Sequence, residues 1–109
     1  MSKILELRDD ILQRLPDDVE RKYRKTESDP YFLALALCGE TGELANILKK
    51  KWRGDSGDRV AVAVIRDEIA DIRVYLELLA KFYGIEGDKL DQHVAAKLSR
   101  VVKRYLTDA

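Results

Sequence analysis

The sequence predicts an all-α protein built as an antiparallel four-helix bundle, and three observations predict it. Apolar residues return at helical spacing in four long stretches. A proline or a glycine marks each break between them, at Pro16 and Pro30, at Gly54 and Gly57, and at Gly84 and Gly87. Strand-like alternation occurs only at Val60, Val62 and Val64, where intervening alanines and the long helical period that follows favour helix. The 109 residues form one domain, 1–109.

Ser2 stands as a possible N-cap before Ile4, Leu7, Ile11, Leu12 and Leu15, a helical pattern that Pro16 ends. From Pro16 to Asp29 the chain is rich in charge and poor in large apolar residues. It reads as a connection holding a short helical turn around Val19 and Tyr23. Asp29 followed by Pro30 has the form of an N-cap with proline at the first helical position, where its missing N–H costs nothing. The helix it opens runs to about Trp52 with Leu33, Leu37, Leu44 and Leu48 along one side, and stops at Gly54. Asp58 can cap the next helix, which carries Ile65, Ile69, Ile72, Leu76, Leu79 and Phe82 and ends at Tyr83 before Gly84. The last helix, from about Asp88 to Leu106, places Leu90, Val94, Leu98, Val101 and Tyr105 on one stripe.

Composition narrows the function classes. Twenty basic and twenty acidic residues cancel, so no global basic field draws in polymeric nucleic acid, and any phosphate affinity has to be local. Cys38 is alone, which excludes an internal disulfide and fits a reducing compartment, with a buried structural thiol expected. The opening segment SKILELRDDILQRL is charged and amphipathic, with no apolar run of export or membrane-spanning length, so a cytoplasmic location is expected.

The chemistry lies in four acids. Glu40 and Glu43 stand at i and i+3 on the second long helix, and Glu68 and Asp71 repeat that spacing on the third, so each pair projects from one face. Such pairs commonly decorate solvated faces, but Glu40 interrupts the line of leucines and Glu68 falls between Ile65 and Ile72. Carboxylates gathered on inward faces need protons or a cation to offset desolvation and mutual repulsion. Oxygen-only ligation fits magnesium, or manganese, which retain water and accept phosphate oxygens. A di-iron carboxylate bundle is disfavoured, since it adds Glu-x-x-His repeats and the single His93 is preceded at that spacing by Leu90.

The segments LCGETGELANILKK, DEIADIRVYLELLAKFYGI and AAKLSRVVKRY resemble the MazG-like branch of the all-α nucleotide pyrophosphohydrolases, over roughly Leu33 to Tyr105. The shared pattern is Glu-x-x-Glu, a variable spacer and Glu-x-x-Asp. This resemblance implies a MazG-type helical fold and magnesium-dependent hydrolysis of a nucleoside triphosphate to its monophosphate and pyrophosphate. Glu40, Glu43, Glu68 and Asp71 would be the metal ligands and catalytic acids, with one glutamate orienting or deprotonating water. It also implies a homodimer or homotetramer.

Four further residues are substrate-binding candidates. Asn46 continues the Glu40 and Glu43 face, Lys50 belongs to a basic run with Lys49, Lys51 and Arg53, and Tyr75 lies one turn beyond Asp71. Lys97 resembles a family lysine in the phosphate site. Each has a plainer reading: an edge polar group, a cation complementing the helix dipole, a core aromatic and an exposed cation. Trp52 could stack on a base or belong to a core or interface. Two departures touch the substrate contacts: Gly39-Glu40 where many relatives carry two consecutive acids, and Ser99 or Val101 where many have an asparagine. They keep open a second possibility, a helical nucleotide-binding or protein-interaction module of this fold without turnover.

Overall fold

The computed structural model describes residues 2–54 and 62–107, and among these every regular element is helical. There are five helices: α1 (Lys3–Gln13), α2 (Asp17–Glu27), α3 (Pro30–Arg53), α4 (Val62–Phe82) and α5 (Asp88–Thr107). No described helix is long and apolar enough to cross a membrane.

The ends follow local chemistry. The Ser2 hydroxyl accepts the Leu5 N–H at 3.1 Å to open α1. The Asp29 carboxylate accepts the N–H groups of Tyr31 and Phe32 at 3.0 and 3.3 Å to open α3, with Pro30 in the first turn. Gly54 closes α3 at φ 79° and Gly84 follows α4 at φ 72°, both in the left-handed region that a side chain disfavours. The capping role expected of Asp58 lies outside the described residues.

The segment expected to be a connection with one turn is instead an eleven-residue helix, α2, with no buried residue. Its sequence lacks a long apolar stripe, and charge is graded along it instead. Asp17, Asp18 and Glu20 occupy the first turn and Arg24 and Lys25 the last, each complementing the helix dipole. Arg24 bonds Glu20 at 3.0 Å within the helix and Asp9 of α1 at 2.8 Å, and Arg8 pairs with Glu27.

Helices α3 and α4 pack along their length as an antiparallel pair, and α1 and α2 brace one end of it. Leu5, Leu33 and Leu78 form the core there, joined by Val74, Tyr75 and Leu79. The inward face of α4 is rotated from the expected stripe. Ile65, Glu68, Ile72, Tyr75 and Leu79 are half-buried, whereas Ile69, Leu76 and Phe82 stand out to solvent. Leu48 on α3 and Leu7 and Ile11 on α1 are likewise exposed, and so is Cys38, contrary to the buried thiol expected.

Among the described residues, the last helix is not packed as a full member of a bundle with the other long helices. Helix α5 has only marginal contact with the other helices, and of its residues 88–106 none is buried and Leu90 alone is half-buried. The radius of gyration, 17.6 Å, exceeds the roughly 13 Å of a compact chain this long.

Candidate metal centre

The rotated face of α4 is what makes the acidic constellation. Glu40 lies on the inward stripe of α3, one turn after Leu37 and one before Leu44, and Glu68 occupies the matching place on α4. Both are half-buried at the seam between the helices. Asp71, one turn after Glu68, is exposed at the seam's edge. Each of these three offers a carboxylate oxygen within 4.8 Å of the other two. Glu43 is exposed one turn beyond Glu40 and stands outside that trio, yet close enough for its charge to act on Glu40.

The electrostatics match this crowding. A hydrogen bond with Glu68 is the main reason the Glu40 carboxyl is raised from 4.5 to about 7. Desolvation and the charges of Glu43, Glu68 and Asp71 add to it. Glu40 therefore holds its proton to a higher pH than an ordinary glutamate. On Glu68 the Oε2 atom is buried without any hydrogen-bond partner, which is costly for a carboxylate oxygen.

These donors fit a hard divalent cation. The candidate ligands are all carboxylate oxygens, and one of them, on Glu68, is buried without a hydrogen-bond partner. Two oxygens at about 2.1 Å from magnesium stand at most about 4.2 Å apart, so small side-chain movements would bring the trio to the separation such an ion needs. Among the described residues no other group of three or more histidines, cysteines or acids comes together in this way.

Beside the acids a cavity of about 480 Å³ opens between α2, α3 and α4. Asp71 and Tyr75 line it, together with Tyr23, Phe32, Val74 and the Arg8–Glu27 pair. Tyr75 packs against the core cluster and also lines the cavity. Arg8 is shifted below its usual range, chiefly by burial.

Phe32, Tyr23, Arg8 and Glu27 were not candidates from sequence. Three of them belong to, or face, the helix read as a connection. The only signal for that helix was its charge gradient, acidic at the start and basic at the end. Glu77 was also missed. It is 3% exposed, and its Oε1 accepts the Arg73 Nε–H at 3.1 Å, an i, i+4 pair visible in sequence although the burial was not.

The remaining candidates lie farther off. Asn46 and Lys50 are exposed on α3, about one and two turns past Glu43, and Lys97 is exposed on α5, which does not pack on α3. Against known families, curated proteins and solved structures, the chain finds no match.

Proposed function

We propose that this protein is a magnesium-dependent nucleoside triphosphate pyrophosphohydrolase of the MazG-like kind, converting (d)NTP to (d)NMP and pyrophosphate in the cytoplasmic nucleotide pool. The observation that carries the reading is the trio Glu40, Glu68 and Asp71, converging at the α3–α4 seam with a buried, unpartnered Glu68 oxygen and opening onto a cavity. The motif resemblance turns that centre toward pyrophosphate release.

In this reading Glu40, Glu68 and Asp71 hold the metal, and Glu43 completes the set by a rotamer change from its exposed position. Bound there, magnesium, or manganese in its place, supplies charge neutralisation for phosphate oxygens and acidifies bound water. The residues do the rest. One of the glutamates would orient or deprotonate the attacking water. The cavity accepts the nucleoside, with Phe32, Tyr23 and Tyr75 offering aromatic faces to a base. Asn46 and Lys50 reach toward the phosphates from the open end of α3, and Lys97 is assigned the same task on α5. The assembly is a homodimer or homotetramer, in which the four-helix bundle expected from sequence is closed between chains.

A substrate panel tests the reading. Purified protein with magnesium should release pyrophosphate from at least one canonical or modified NTP or dNTP, and Glu68→Gln should abolish it. A panel with no release, or release indifferent to Glu68→Gln, would remove the proposal.

A further inference from the structure

Away from the acidic seam, Glu77 is a buried charge that the fold does not account for. It is 3% exposed in the second half of α4, where the helix dipole does not favour a negative charge. Arg73, one turn earlier and largely exposed, donates to its Oε1 at 3.1 Å. A pair of this kind offsets little of the cost of burying a carboxylate. The other oxygen, Oε2, is buried and has no hydrogen-bond partner among the described residues. Protonation would not satisfy it, because an O–H there would be a buried donor without an acceptor.

Glu77 lines a cavity of about 490 Å³ that opens between the start of α1, the second half of α4 and the start of α5. The wall carries four carboxylates, Glu6, Glu77, Asp88 and Asp91, and two cations, Lys3 and Arg73. It is therefore two charges negative, although the chain as a whole is neutral. Glu6, Asp88 and Asp91 have a plainer role as well, since they stand in the first turns of α1 and α5 and complement those dipoles. Glu77 has no such role. A second unpartnered carboxylate oxygen, Oε2 of Glu86, belongs to the residue before Gly87. Gly87, at φ 65°, holds the start of α5 close to Ser2, where an added Cβ would lie 3.6 Å from the Ser2 Cα.

The spacing of the acids decides what the cavity can take. Among the described residues, no three of them bring oxygens within 4.8 Å of one another, so the wall is not a chelate for a bare divalent ion. It fits an extended cation that carries its own N–H donors and reaches carboxylates set apart from each other. We propose that this cavity binds an aliphatic polyamine, one ammonium donating to Oε2 of Glu77 and another reaching the exposed carboxylates of Asp88 and Asp91. The site is separate from the acidic seam. Glu77 follows Glu68 by about two and a half helical turns, which puts it on the opposite side of α4, and the two cavities share no lining residue. A bound polyamine ties α5, otherwise in marginal contact with the other helices, to α1 and α4.

The test uses the full chain in about 0.15 M salt, which screens diffuse attraction. Titration calorimetry with spermidine should show saturable binding of one molecule per chain, weakened about tenfold or more by Glu77→Gln. Asp88→Asn with Asp91→Asn, both at exposed positions, should weaken it similarly and decides the matter if Glu77→Gln fails to fold. Glu68→Gln should leave the binding unchanged. Hydrogen exchange in the first turns of α1 and α5 should slow when spermidine is added. Absence of saturable binding, binding indifferent to either substitution at the cavity, loss of binding in Glu68→Gln, displacement of spermidine by an equal concentration of magnesium, or unaltered exchange in those turns would each overturn the proposal. None of these measurements uses a nucleotide, so they stand whether or not the chain releases pyrophosphate.

Discussion

Replacing Glu68 with glutamine probes the acidic seam at its most informative point. The perturbation keeps the side chain's length but removes one charge, and it gives the position an amide N–H that can donate to ionised Glu40. The hydrogen bond with Glu68 is the largest cause of Glu40's elevation from 4.5 to about 7, so Glu40 in the variant should return toward 4.5. The sign of the linkage is then fixed. In the metal-free wild type the folded state holds the extra proton between about 4.5 and 7. Its contribution to stability is present below 4.5 and is lost as pH rises through about 7. A divalent metal must displace that proton, so its affinity has the opposite trend and rises with pH. With one proton displaced, binding tightens by about tenfold per pH unit below 7 and levels off above it, or about thirtyfold between pH 5.5 and 8. In Glu68→Gln, weaker overall through loss of a ligand, the same pH interval should change affinity by less than about twofold. Manganese binding followed by EPR at several pH values measures both slopes. A wild-type affinity flat across that interval, or a variant with the wild-type slope, would refute the account of Glu40's raised proton affinity.

Other predictions test the surroundings of the site. Leu33 is 1% exposed in the core that braces the seam, so Leu33→Ala should cost about 2–5 kcal/mol in urea denaturation. Gly84→Ala meets no neighbour within 4 Å but forces a side chain into φ 72°; thermal or urea unfolding should register about 1–2 kcal/mol from the backbone alone. If the cavity holds the base, Phe32→Ala should raise KM about fivefold, equivalent to about 1 kcal/mol of stacking, with kcat little altered. Steady-state kinetics that showed the loss entirely in kcat would move the base elsewhere.

The helical class and most boundaries were legible because they depend on short-range chemistry. Asp29 with Pro30 announced the start of α3, Gly54 and Gly84 announced two ends, and the structure has each where the sequence put it. Helix α2 was not legible from apolar period, since it buries nothing and is held by ion pairs whose partners, Arg8 and Asp9, lie on another helix. The inward face of α4 was misjudged because leucine and isoleucine occur around much of its circumference. Which apolar residues turn inward was decided by the seam with α3, and those facing outward, Ile69 and Leu76, form part of a separate surface. The acids were legible as two i, i+3 pairs, but the separation of Glu40, Glu68 and Asp71 from Glu43 depends on the rotation of one helix against the other. The cavity was beyond sequence altogether, as it joins residues of four helices.

The most direct measurement is the identity of the products. Incubated with a hydrolysable nucleoside triphosphate and magnesium, and followed by ³¹P NMR, the protein should yield nucleoside monophosphate and pyrophosphate in equal amounts, with no reaction when EDTA replaces the metal. Nucleoside diphosphate and orthophosphate as the products, or cleavage undiminished by EDTA, would contradict a carboxylate-held metal centre built for pyrophosphate release.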